Sequence, residues 1–349
     1  MSNFLTKKIS FDLSREDSVL LRGLAITVIF IHNFVHLHSP ILENETMCNL
    51  SRSYMWLANF LDGTNHVLLN IFSFWGHYGV PIFLFLSGYG LVKKFESSKS
   101  KPLHFWPFIK RNYFKLWILL FWAIVVNTII YSEWNKWVPI HFTFLGNLIP
   151  GSKQVYGVWW FFSLIVQFYF LYALCFYKKS IKAPYIATFL SIVLLVGLTL
   201  FDATESTFYY VRNNFCGWIL PFAMGVIMAR HKVQMPLWVC LVSLVLFVLG
   251  EFNEYLWILN GGLVCLFVIP LAKIRGRWIR KPFIFMGGIS ASIFVLHPII
   301  RHAINMLPEY MGDTTSTLYI ILALYIVSVI IIAYYYQKFV ALQDKWFLK

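Results

Sequence analysis

The chain has 349 residues, 59% hydrophobic and 19% aromatic, with only 13% charged; an average soluble domain is about a quarter charged. A net charge of +14 would suit a nucleic-acid binder, but the Lys and Arg residues fall in short clusters between long apolar runs, the signature of a polytopic membrane protein. Five cysteines, most of them in apolar runs, exclude a disulfide framework and read as packing residues, with Cys48–Cys216 the one pairing left open.

The polar start, MSNFLTKKISFDLSREDS, lacks the pattern of a cleavable signal. Ten apolar segments follow, at about 19–38, 69–92, 113–131, 158–177, 183–201, 215–229, 236–250, 255–272, 283–304 and 317–336. Backbone groups in lipid must be satisfied within their own segment, so runs near the ~20 residues of a bilayer crossing are helices. The expected fold is an all-α bundle of about ten transmembrane helices, one domain over residues 1–349. Pro184, Pro236 and Pro282 stand near segment starts, where a missing N–H costs nothing. The segment 69–92 is long, and its opening SFWGHYG reads as an interfacial turn. Two outer loops, 39–68 and 132–157, are long; the second carries FTFLGNLIPG, expected to dip into the interface, and the first carries chance-level glycosylation sequons at Asn44 and Asn49.

With the N-terminus in the cytoplasm, 23 of the 29 Lys and Arg residues fall on inner segments. Arg52, Lys136, Lys153, Arg212 and Arg301 fall outside, and Arg22 lies inside the first helix. Ten of the fifteen acids fall outside. That asymmetry places both termini in the cytoplasm and the protein in the cell (inner or plasma) membrane.

Ionisable groups inside lipid-length helices are functional candidates because exposing them to hydrocarbon is costly. The first helix, RGLAITVIFIHNFVH, carries Arg22, His32 and His36. Arg22 is near enough to the inner end to snorkel, and His36 near enough to the outer end to be interfacial. His32 and His297 lie roughly 20 Å above the inner ends of their helices, in one outer layer. Pro298 follows His297 and frees the carbonyl of Phe294, so the two histidines read as lining a cavity, with separate packing roles as the plainer alternative. In GVPIFLFLSGYG, Ser87, Gly88 and Tyr89 reach the level of Arg22, where small residues serve close helix packing or close approach of a ligand. The following basic stretch, with Lys110 and Arg111 at the next helix entrance, is by default an anchor for anionic lipid and alternatively a landing site for a phosphorylated ligand.

Four stretches together resemble the acyltransferase-3 family of integral membrane acyltransferases. LRGLAITVIFIH is similar to its Arg-Gly-Leu-Ala…His first helix, and GVPIFLFLSGYGLVKK to its Phe-Leu-Ser-Gly-Tyr/Phe signature. VWWFFSLIVQFYFLYAL and MGGISASIFVLHPII resemble two later elements, with Phe294 where the family commonly has Tyr. The resemblance implies an acyl-CoA donor (usually acetyl-CoA) arriving from the cytoplasm and a hydroxyl acceptor on a glycan or lipid-linked glycan, with no metal and no permanently bound cofactor. Arg22, Lys110 and Arg111, with Ser87 and Tyr89, would then hold the donor. His32, His36 and His297 are the catalytic candidates, as general base or acyl carrier. Some relatives carry an extra periplasmic domain; its absence leaves the last transfer to a separate partner or to this chain alone. One departure concerns spacing: the family usually has ten residues between the first-helix Arg and His, and Arg22 and His32 enclose nine. A ten-residue step leaves two side chains about 80° apart, whereas His36 is about 40° from Arg22. Either a local bulge restores the face or His36 shares the role. The runner-up function is a proton-coupled transporter of a small anionic or lipid-linked solute; a structural subunit of a glycan-assembly complex is a third.

Overall fold

In a computed structural model the described residues are 6–38, 43–62, 67–97, 100–131, 137–149, 156–273, 276–305 and 315–347. A short strand β1 (Lys8–Ser10) leads into α1 (Arg15–Val35), then α2 (Leu50–Leu61), α3 (Val67–Trp75), α4 (Gly79–Phe95) and α5 (Phe105–Tyr131). After two short helical turns come α6 (Trp160–Leu171), α7 (Lys182–Leu200), α8 (Glu205–Arg212) and α9 (Ile219–His231). Strand β2 (Gln234–Pro236) precedes α10 (Leu237–Gly250), α11 (Asn260–Val268), α12 (Arg277–Gly288), α13 (Ser290–Ile304) and α14 (Thr315–Phe347).

Six helical stretches are long and apolar enough to cross a membrane. They are α1, the run Val67–Phe95 that joins α3 to α4, α5, Gly157–Phe176, α7 and residues Thr317–Gln343 of α14. The expected single crossing at 283–304 is instead α12 and α13 bent by 75° at Ile289, a seventh span if the pair crosses together. Gly287 and Gly288 before the bend and Ser290 after it are the local cause, since they hold a helix least firmly. Three shorter apolar helices, Ile219–His231, Leu237–Gly250 and Asn260–Lys273, occupy the other apolar segments. Pro282 falls inside α12 rather than at its start, because that helix begins at Arg277. Pro184 and Pro236 do stand at helix starts. The all-α expectation misses one feature, an antiparallel ladder of β1 on β2 that pairs Ile9 with Met235. Lys232, left-handed at φ 49°, ends α9 and turns the chain into β2.

Helix α1 is central, packing on α4, α12 and α13. Apolar helices gain little from burial against lipid-like neighbours, so association rests on close fit. A Cβ on Gly23 of α1 would lie 1.7 Å from the Phe283 carbonyl oxygen, and one on Gly287 would lie 1.9 Å from that of Val19. The backbones of α1 and α12 therefore touch. Gly88 of α4 and Gly225 of α9 make a second crossing of this kind, with Gly88 against the Phe222 carbonyl. Close helix packing, rather than room for a ligand, is what Gly88 provides.

Segments expected on one side of the membrane meet at one end of the bundle. Asp12 pairs with Lys93, Asp17 with Lys273 and Arg280, and Glu96 with Arg230. At the other end a buried carboxylate, Glu251, accepts from Tyr78 (2.6 Å), Asn260 (2.9 Å) and Asn44 (3.1 Å). Asn44 is fully buried, and the Asn49 side chain caps α2, so both sequon asparagines are engaged in the fold. Cys48 and Cys216 are free thiols, which closes the pairing left open above. The stretch FTFLGNLIPG tucks back into the protein in its described part: buried Asn147 donates to the Trp160 carbonyl at 2.8 Å.

Candidate active site

The end of the bundle that holds Glu251 also contains a cavity of about 270 Å³. Its wall on α1 is Ile29, His32, Asn33 and His36. The loop after α1 adds Glu43 and Glu45, and the turn between α3 and α4 adds His77. Trp160 and Trp218 close one side, with Arg212 from the end of α8, and Phe294 and Arg301 come from α13.

Local sequence explains why these groups converge. His36 is one residue past α1, yet its backbone stays helical and donates to the His32 carbonyl at 2.8 Å. The i, i+4 relation therefore persists, and the two imidazoles stack at 5.5 Å. The α3–α4 turn lies flat on α1 because Gly76 and Gly79 permit it: a Cβ at Gly76 would be 2.3 Å from His32 Cβ, and one at Gly79 2.6 Å from the Ala25 carbonyl. That contact sets the His77 ring edge-on to His32 at 5.8 Å. Just before α6, the Trp159 indole donates to the Val295 carbonyl at 3.1 Å, which fixes the start of α6 against α13 and brings Trp160 to the cavity. Arg301 donates to the Asn33 carbonyl at 2.6 Å. The Arg212 guanidinium lies 3.8 Å above the Trp218 ring and donates to the Gly217 carbonyl at 2.8 Å.

A hydrogen bond and a close ion pair define the histidines. His32 Nδ1 lies 2.9 Å from the Phe72 carbonyl, which can only accept, so Nδ1 carries the proton and Nε2 keeps its lone pair. His36 Nδ1 lies 2.6 Å from Glu43 Oε2, again leaving Nε2 as the basic nitrogen. Burial alone would raise the Glu43 carboxyl, but the bond from His36 and the neighbouring imidazoles hold it well below its ordinary value. Burial, together with the charge of Glu43, pushes Glu45 the other way, to about 7. The two environments drive the carboxyls apart, Glu43 toward its charged form and Glu45 toward its neutral one. An imidazole oriented by a carboxylate, beside a second imidazole with a free Nε2, can take a proton from a hydroxyl and hold it. Among the described residues no group of three or more His, Cys, Asp or Glu is arranged to hold a metal ion.

Of the residues singled out from sequence, His32 and His36 share this cavity. His297 is fully buried, but its Nδ1 lies 3.1 Å from the Ile293 carbonyl of its own helix, and Phe294, not His297, lines the cavity. The polar spot expected beside Pro298 is filled by that ring. Helix α1 is regular throughout, so no bulge returns Arg22 and His32 to one face. Arg22 lies about 15 Å from His32 along α1, half-buried and within electrostatic reach of Tyr169. Lys110 and Arg111 are exposed at the start of α5. Ser87 donates to the Phe83 carbonyl, while the Tyr89 hydroxyl donates to Asp12 and accepts from the Leu13 N–H, so both are held by the protein itself. Sequence reasoning missed Glu43, Glu45, His77, Arg212 and Arg301 as one constellation, having placed the two arginines only as outer charges.

A family model described as an acyltransferase domain matches residues 17–337. No curated protein and no solved structure matches the chain.

Proposed function

The chain belongs to the acyltransferase-3 family of membrane acyltransferases, and from that premise we propose that it moves an acyl group, usually acetyl, from cytoplasmic acyl-CoA to a hydroxyl of a cell-surface or lipid-linked glycan. The observation that carries the proposal is the His36–Glu43 pair at 2.6 Å, with the His36 ring stacked on His32 in one cavity. The proposed topology has ten crossings with both termini in the cytoplasm of a cell-membrane protein. It rests on the charge asymmetry and on the clustering of residues 8–17, 93–96, 230–236, Lys273 and Arg280 at the end opposite the cavity.

In this reading the donor's phosphates meet Arg22, with Lys110 and Arg111 at the inner surface, and its pantetheine arm rises along α1 toward Ile29 and His32. The acceptor enters from the outer side past Trp160 and Arg212. Nε2 of His36 or His32 takes the hydroxyl proton as the oxygen attacks the thioester carbonyl. A C–O bond forms, the C–S bond breaks, and CoA leaves as a thiolate that the proton neutralises. Glu43 stabilises the imidazolium while it exists.

Mass spectrometry of surface glycans with and without the gene identifies acyl group and acceptor together. Loss of one acylated species is expected, and His32→Ala with His36→Ala should reproduce it in protein that still inserts. Normal acylation in that double variant would remove the histidine mechanism. Gradient-driven solute uptake into proteoliposomes, with no acylated product, would favour transport instead.

A further inference from the structure

We infer that His77 is a further catalytic residue: a neutral imidazole whose N–H donates to the thioester carbonyl oxygen as that oxygen takes up negative charge. The inference rests on the acyl-transfer reading and supplies what that reading lacks, a group to stabilise the oxyanion.

His77 is 3% exposed and lines the cavity, and neither of its ring nitrogens has a hydrogen-bond partner among the described residues. Two other buried imidazoles differ. His32 is bonded to the Phe72 carbonyl and His297 to the Ile293 carbonyl, each through Nδ1. A neutral imidazole always carries one N–H, and burying a donor unpaired is costly. The ring stays in that position because backbone contacts place it there. Gly76 lies on His32, Gly79 lies on Ala25 and Ile29, and the next side chain, Tyr78, is tied to Glu251. A ligand oxygen in the cavity would satisfy the donor without any rearrangement, which is what preorganised stabilisation requires.

His32 faces the ring edge-on at 5.8 Å, and Glu43 of the same cavity is already paired with His36. A neutral imidazole held this way polarises a carbonyl rather than removing a proton. Position supports the same role. Residues 76–79 descend along α1 from the level of His32 toward Ala25, so His77 flanks His32 on the side from which the thioester arrives. Arg301 and one arm of Arg212 donate to the Asn33 and Gly217 carbonyls on other walls of the cavity, while Arg212 Nε has no hydrogen-bond partner among the described residues.

The test uses membranes carrying the full chain, labelled acetyl-CoA, and the membranes' own envelope glycan as acceptor. His77→Ala should lower kcat by about 10²–10³, the usual loss for one oxyanion donor, while KM for acetyl-CoA stays within a few-fold. His77→Asn and His77→Gln restore a neutral amide N–H near Nδ1 and Nε2, and one of them should recover at least tenfold of the loss. A general base could not be rescued in this way. Wild-type turnover in His77→Ala overturns the inference, as do amide variants no faster than alanine in protein that acetyl-CoA still stabilises against heat. Should His77→Ala fail to fold, His77→Phe against the amide variants gives the same comparison. Absence of glycan labelling by the wild-type chain would sink the acyl-transfer reading itself; normal labelling with an indifferent His77 sinks only this step.

Discussion

Replacing Glu43 with glutamine keeps the shape of the cavity and removes one charge. The amide oxygen still accepts from His36 Nδ1, so the imidazole keeps its orientation and tautomer; only the negative partner of the imidazolium is lost. The contact is short, 2.6 Å, and the carboxylate is 12% exposed, so solvent does little to replace it. A hydrogen bond to a charged group contributes about 1.5–3 kcal/mol. The upper part of that range fits a pair so short and buried, and it corresponds to roughly a hundredfold in kcat. Turnover of labelled acetyl-CoA into glycan should fall by that factor with KM unchanged. Without the carboxylate the imidazole binds its proton less tightly, so the acid limb of the pH–rate profile should move to lower pH. Glu45→Gln is the internal control. Burial already favours the protonated form of Glu45, and glutamine is close in shape to a neutral acid, so that variant should stay within a few-fold of wild type. A Glu43→Gln enzyme within threefold of wild type, with an unmoved acid limb, would refute the dyad.

Three further outcomes are expected. Burial raises the Glu251 carboxyl to about 7, so the folded state favours its neutral form. Its contribution to stability is full below the ordinary glutamate value and is lost as pH rises through about 7, a span of about 3 kcal/mol at 1.36 kcal/mol per unit. Glu251→Gln should flatten that part of the melting-temperature profile, and an unchanged slope would show that another group titrates there. Gly23→Ala forces α1 and α12 apart at a backbone contact, costing on the order of 1–3 kcal/mol or more. Gly90→Ala meets nothing within 4 Å and should be harmless, so equal melting temperatures for the two would contradict the crossing. Arg22→Ala should weaken the thermal stabilisation given by millimolar acetyl-CoA, and a full shift in that variant would place the donor elsewhere.

The histidines of α1 were legible because an imidazole in an apolar helix has few structural excuses. His77 carried the same signal but stood in SFWGHYG, where a turn at the interface explained it equally well. Glu43 and Glu45 are ordinary loop acids until tertiary structure folds their loop over α1 through Asn44 and Glu251. Arg212 and Arg301 counted only toward charge on one side of the membrane, since Arg212 fell between apolar segments and Arg301 near the outer end of one, where a charge needs no partner. His297 shows a different limit. Depth along a helix follows from counting residues, but the face it presents follows from packing, and here the bend at Ile289 resets the phase of α13. The regularity of α1 leaves the short Arg22–His32 spacing uncorrected and gives His36 its place in the site.

The ladder of β1 on β2 also governs the order in which the protein can be completed. Lys8 waits for Pro236, and Asp17 waits for Lys273 and Arg280. At roughly 5–20 residues per second, the ribosome needs on the order of ten to fifty seconds to deliver those partners after the first helix. Throughout that interval the N-terminal end of α1 lacks its final anchors. Trp160, Arg212 and Arg301 also reach the cavity one after another during synthesis. A nascent chain therefore holds its first-helix histidines long before the walls of the cavity are complete.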